Sequence, residues 1–142
     1  GIHIIDLVPD EATGAPTAAH ALEVLQDIPA PFDVALLGMG SDAHFASLFP
    51  GSPMLVDGLD PNSTIVALPV MPDPLPPEAP FGRISLTLAK LLQSRNVLLA
   101  ITGENKRAVL DQAMRHQVDP NHCPVAALLR AAGDRLDIYW SP

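Results

Sequence analysis

The fold class this sequence predicts is a parallel, doubly wound α/β sheet, and three observations carry the prediction. The short apolar run V-A-L-L (34–37) has the length and unbroken hydrophobicity of a strand buried on both faces of a parallel sheet, and N-V-L-L-A-I-T (96–102) reads as a further buried strand. Stretches with helical spacing of apolar residues alternate with such runs, as βα units require. The 142 residues are 48% hydrophobic and 17% charged, which suits one globular α/β domain (1–142) with a real core.

In chain order, I-H-I-I-D-L (2–7) reads as a strand and P-D-E-A-T-G-A-P (9–16) as a polar turn. Residues 17–28 read as a helix with Thr17 as N-cap and Leu22, Leu25 and Ile28 on one face, His20 being an exposed helix residue. P-A-P-F (29–32) ends that helix and feeds the strand 34–37. P-G-S-P (50–53) marks a turn, and S-T-I-V-A-L (63–68) is a second strand candidate. V-M-P-D-P-L-P-P-E-A-P (70–80) is excluded from helix and central strand, because proline fixes φ and removes a donor. It reads as a rigid loop, either the wall of a site or a connector. Leu86, Leu88, Leu91 and Leu92 give 85–93 helical spacing, and 96–102 is a third buried strand. Gly103 then turns the chain into a helix over 104–116, whose Val109, Leu110 and Ala113 face a sheet. Proline opens a short helix at 124–131, and 136–140 is the closing strand.

Composition narrows the function. A formal charge of −8 speaks against a nucleic-acid partner, since phosphate backbones demand clustered Lys and Arg. A small anionic substrate remains open, as it needs only two or three placed cations. The one cysteine, Cys123, excludes an internal disulfide and fits a reducing compartment. No apolar run approaches the roughly 18 residues of a membrane span, so the expected location is the cytoplasm, with no membrane partner. The chain starts at Gly1 and enters a strand-like run at once, which reads as an absent N-terminal part.

Chemistry concentrates in D-V-A-L-L-G-M-G-S-D-A-H-F-A-S-L-F-P (33–50). A buried strand meets Gly38 and Gly40, which let the backbone turn and approach a ligand. Open α/β sheets bind ligands at the carboxyl ends of their strands. Asp42 and His44 follow on that loop; histidine exchanges protons near neutral pH, and a neighbouring carboxylate fixes its tautomer. The alternative is a histidine that caps a turn, with Asp42 as a helix N-cap. Arg83 and Lys106 each stand at or near the start of a helix in this reading, where free N–H groups and the helix dipole favour an anion. The alternative for each is a solvated surface charge. G-M-G-S-D-A lacks the third glycine of a dinucleotide fingerprint. His44, His116, His122 and Cys123 lack the spacing of a metal site, and no nucleophilic-serine elbow is present.

These residues resemble a known family. L-L-G-M-G-S-D-A-H-F-A-S-L-F-P-G is similar to the 6-phosphogluconolactonase signature L-L-G-x-G-x-D-G-H-x-A-S-L-F-P. R-I-S-L-T-L at Arg83 resembles the second signature, R-I-T-L-T, and Thr102, Gly103 and Lys106 resemble the third, T-G-x-x-K. The order and spacing agree from about Phe32 to Trp140. The resemblance implies the Rossmann-like α/β fold shared with glucosamine-6-phosphate isomerases. It implies hydrolysis of 6-phosphoglucono-δ-lactone to 6-phosphogluconate in the oxidative pentose phosphate pathway, without metal or organic cofactor. Carried over, His44 is the general base that activates water and Asp42 orients it. Arg83 and Lys106 hold the substrate phosphate, and Gly38 and Gly40 let the loop approach the sugar.

Two departures matter. Ala43 replaces the family glycine of D-G-H, and strain of order 1 kcal/mol is expected if φ there is positive. The family's N-terminal half, with a phosphate loop and an Asp-Glu-Arg motif, has no counterpart here, so the chain reads as the C-terminal portion of a lactonase. Self-association, or pairing with the missing N-terminal segment, is the expected consequence. Two other functions compete: a sugar-phosphate isomerase or deaminase on the same fold, and a non-catalytic fragment that binds a sugar phosphate. The isomerase branch resembles D-G-H-I-A-F-N-E-P, with a carboxylate five positions after the histidine. Here that position is Phe49, which in this reading neither accepts a proton nor orients an imidazole. Asp57 or Asp60 would have to fold back to replace that carboxylate.

Overall fold

The computed structural model describes residues 1–9, 17–77, 80–115 and 117–142. In chain order the elements are α1 (Ala19–Gln26), β1 (Val34–Leu37), α2 (Leu55–Leu59), β2 (Ala67–Val70), β3 (Arg83–Leu86), α3 (Leu88–Leu92), β4 (Asn96–Thr102), α4 (Glu104–Arg115), α5 (Val125–Ala132) and β5 (Leu136–Ser141). β4 lies at the centre of a parallel sheet of order β1–β4–β5, while β2 and β3 form a separate antiparallel ribbon. The register pairs Val34 with Asn96 and Leu37 with Leu99, then Val97 with Leu136 and Thr102 with Ser141. The fold is therefore α/β with a parallel sheet flanked by helices, as the sequence predicts.

Alternation along the strands defines the core. Ala35, Leu37, Val97, Leu99 and Ile101 share a buried cluster with Leu110 and Ala113 of α4 and with Val125, Ala126, Leu128 and Ala132 of α5. Fully burying one such aliphatic side chain is worth about 1.5–3 kcal/mol, so this face holds the sheet together. The other face differs from expectation. Val34 is half exposed, and Leu36 and Tyr139 are 69% and 61% exposed. The strand 34–37 is thus buried on one face only, and the sheet is covered by α4 and α5 on one side rather than doubly wound as expected.

Other boundaries also shift. Residues 2–7 form no strand: Ile2 and Ile4 stand exposed, and among the described residues no strand pairs with this run. α1 is shorter than 17–28, and Ala18 rather than Thr17 is its N-cap, without a side-chain bond. Its buried face is Ala21 and Leu25, an i,i+4 pair that packs on Ala67 and Ile84, whereas Leu22 is exposed. His20 is half-buried, its Nε2 lying 3.1 Å from the carbonyl of Asp6. The strand expected at 63–68 begins only at Ala67, and β2 runs on through Pro69 to Val70; in a two-stranded ribbon each strand keeps an unpaired edge, so proline is tolerated. The helix expected over 85–93 divides into β3 and α3. Thr87 makes the division: its φ of −78° and ψ of 159° are extended, and its Oγ1 accepts the N–H of Lys90 as an N-cap. Arg83 therefore opens a strand, not a helix. α4 ends at Arg115 with His116 outside the described residues, as is most of the expected turn at 9–16. α5 and β5 fall within one residue of expectation.

Candidate active site

The segment after β1 is a short, tightly closed loop. The N–H of Gly40 donates to the carbonyl of His44 at 2.9 Å, and the N–H of Ala43 donates back to Gly40 at 3.0 Å. Three anchors hold this loop against the fold. Val125 at the start of α5 donates its N–H to Ala43 O at 3.0 Å, Ser47 N–H reaches Ser85 Oγ of β3 at 3.1 Å, and Gly51 N–H reaches Asn121 O at 3.2 Å. The left-handed backbone falls on the alanine of D-A-H and on Ala46, not on the two glycines of the turn. Neither Gly38 nor Gly40 adopts a positive φ, whereas Ala43 (67°) and Ala46 (51°) do. Gly40 is needed for room: a Cβ there would overlap the imidazole of His44 and Oδ1 of Asp42. A Cβ on Gly38 would come only to ordinary contact with the carbonyl of Ala100.

Asp42 and His44 meet inside the loop. Nδ1 of His44 lies 2.6 Å from Oδ1 of Asp42, and the backbone N–H of His44 donates to the same oxygen at 3.2 Å. Partial burial pushes the Asp42 carboxyl up, but the hydrogen bonds from the His44 ring and backbone, with the attraction between the two groups, outweigh it, leaving Asp42 below the usual carboxylate range. An ionised carboxylate only accepts, so Nδ1 carries the proton in the neutral ring and Nε2 keeps the basic lone pair. Such a pair can take a proton from water.

The imidazole opens on two clefts. One, of about 620 Å³, lies over the carboxyl ends of the strands and is lined by Gly38, Gly40, His44, Thr102, Lys106 and Trp140, among others. The other, of about 750 Å³, runs from Asp42 and His44 past Phe49 and Lys106 to the proline-rich segment 72–77. That segment is thus the far wall of the site, one of the two readings its composition allowed. Lys106 faces both clefts from the first turn of α4. The turn is pinned from both sides: Trp140 Nε1 donates to Gly103 O at 3.2 Å, and the Arg107 guanidinium lies 4.4 Å from the Trp140 ring centre. Arg83 does not line either cleft. Its guanidinium carbon lies 4.7 Å from the centre of the Phe49 ring and 6.0 Å from that of Phe81, which puts it beside the site through Phe49.

Phe49 corrects the sequence reading. Its ring stacks on the imidazole of His44, with centroids 4.1 Å apart and planes at 27°, so it does orient the histidine, by its face instead of a hydrogen bond. The sequence offered one signal for it, an aromatic residue within five positions of the histidine. Asp57 lies in α2 and Asp60 accepts the N–H of Asn62 at 2.9 Å; neither lines a cleft at His44. A second Asp–His pair, Asp119 and His122 at 3.2 Å, is largely solvent-exposed. Burial pushes the thiol of the adjacent Cys123 up, which opposes a nucleophilic role. Among the described residues no cluster of three His, Cys, Asp or Glu is placed to hold a metal ion, and no helix is long and apolar enough to cross a membrane.

Comparison with known proteins identifies relatives of the chain. Residues 2–140 match the family model described as glucosamine-6-phosphate isomerases/6-phosphogluconolactonase. The chain is similar to a 6-phosphogluconolactonase of Caulobacter vibrioides, with 43% identity over 124 residues, 87% of this chain and 50% of that protein. It is 42% identical to a 6-phosphogluconolactonase of Pseudomonas aeruginosa over 118 residues, 83% of this chain and 46% of the relative. Among solved structures it resembles a 6-phosphogluconolactonase from Shewanella baltica, with a TM-score of 0.75 and 36% identity over 88% of this chain and 51% of that one. The chain spans about half the length of the relatives it matches.

Proposed function

The chain belongs to the glucosamine-6-phosphate isomerase/6-phosphogluconolactonase family, and on that premise we propose that it carries the proton-transfer loop of a 6-phosphoglucono-δ-lactone hydrolase. One observation supports this above the rest: the 2.6 Å pair of Asp42 and His44, on a loop at the carboxyl end of β1 and open to a cleft. His44 Nε2 takes a proton from water as the water attacks the lactone carbonyl. Asp42 holds the ring's tautomer and stabilises the imidazolium that forms. As the tetrahedral intermediate collapses, the ring C–O bond breaks and the imidazolium returns its proton to the leaving hydroxyl, giving 6-phosphogluconate. The reaction needs neither oxidant nor added cofactor.

Lys106 is the phosphate contact best supported by position, since it shares both clefts with His44. Arg83 lines neither cleft and is held against Phe49, so its part in holding the phosphate rests on the family motif and on the fit of its planar fork to phosphate. Gly40 makes room for the base, and Gly38 lines the floor of the smaller cleft beside the sugar.

Phe49 favours hydrolysis over isomerisation. Proton transfer between two sugar carbons needs further carboxylates near the histidine, and a ring stands five positions after it here. The discriminating experiment offers the protein 6-phosphoglucono-δ-lactone and glucosamine-6-phosphate in parallel. Lactone hydrolysis above the spontaneous rate, with no ammonia release, is the expected result; enzymatic ammonia release from the amino sugar overturns the assignment.

A further inference from the structure

We infer that Phe49 is a positioning residue that couples the orientation of His44 to that of Arg83. The inference rests on the lactonase reading of the site. A single hydrogen bond from Nδ1 to Asp42 fixes one line through the imidazole and leaves the ring free to swing about that line. The stacked ring of Phe49 removes that freedom, because tilting the imidazole would drive it into the phenyl face. The two restraints together set the direction of Nε2.

The same ring engages Arg83. Its guanidinium carbon stands 4.7 Å from the Phe49 centroid, a cation–π distance at which the flat guanidinium is oriented through its face. One rigid side chain thus touches both the base and the cation. Phe49 is itself well held. It is 5% exposed, and its carbonyl accepts both the hydroxyl of Ser52 at 2.8 Å and the N–H of Ser52 at 3.3 Å. A polar residue here would compete for the guanidinium or admit water beside the base; a branched aliphatic would offer no flat face.

The test compares Phe49→Met, which keeps apolar volume without a ring, with Phe49→Tyr, which keeps the ring. Steady-state lactonase kinetics and thermal melts are measured on both variants. We expect Phe49→Met to lower kcat about tenfold or more, since a misaligned base forfeits part of its roughly 10²–10⁴-fold contribution, and to raise KM through the loosened Arg83. Phe49→Tyr should recover most of both. Phe49→Met with wild-type kcat and KM but a lower melting temperature would reduce Phe49 to a packing residue and overturn the inference. A second measurement follows the Arg83 Nε–H resonance by NMR when His44→Asn is introduced. The resonance should move in the wild-type background and stay fixed in the Phe49→Met background; equal movement in both overturns the coupling. If the wild-type protein shows no turnover, the lactonase reading fails by itself, and the NMR measurement still decides whether Phe49 couples the two groups.

Discussion

Ala43, at φ 67°, is an ordinary residue that the loop holds in a glycine conformation directly before the reacting group. Three terms decide what a glycine there would do. Relief of left-handed strain gains about 1–2 kcal/mol. Loss of a buried methyl costs about 0.8 kcal/mol. The looser unfolded chain costs about 0.4–1 kcal/mol. They nearly cancel, so Ala43→Gly should change unfolding free energy by less than about 1 kcal/mol in urea titrations. A loss above about 2 kcal/mol would mean that the methyl, 3% exposed, is packed more tightly than this sum allows. Much of the site is legible at this scale, because Asp42 and His44 are sequence neighbours and a loop can join them without help from the rest of the fold. The contact of Phe49 with Arg83 is not legible. It depends on β3 lying beside the loop, which local spacing does not encode.

At the scale of elements, Thr87 decides where a strand becomes a helix. It is fully buried, its Oγ1 donates to Ile65 O at 2.6 Å, and it accepts from Lys90 N–H at 3.2 Å. Thr87→Ala removes the cap and the bond to the half-buried carbonyl of Ile65. Each loss is worth about 1 kcal/mol or more, so a destabilisation of about 2 kcal/mol is expected by urea unfolding. Thr87→Ser, which keeps the hydroxyl, should recover most of it; equal losses in both variants would contradict the capping role. The leucine spacing of 85–93 hid this boundary, because Leu86 ends a strand and Leu88 begins a helix in the same apolar stretch. β1 and β4 were readable to the residue, since short unbroken apolar runs have few other uses. Residues 2–7 were not, because their alternation lacks a partner strand, and pairing is a property of the fold and not of the segment.

For the whole molecule, the asymmetry of the sheet matters most. One face is covered by α4 and α5, and the other presents Val34, Leu36 and Tyr139 beside the unpaired edge of β1. Exposed apolar surface next to a free strand edge tends to be covered in solution. We therefore expect the 142-residue chain to self-associate or to capture a complementary segment, read by light scattering; a strictly monomeric species with full turnover would contradict this. Everything proposed for the site turns on His44 performing the proton transfer of lactone hydrolysis. Its most direct test is the rate of 6-phosphoglucono-δ-lactone hydrolysis by His44→Asn beside wild type, each corrected for the spontaneous reaction. Turnover lowered by about 10²-fold or more, with the melting temperature retained, is the expected result. Wild-type turnover in His44→Asn would contradict it.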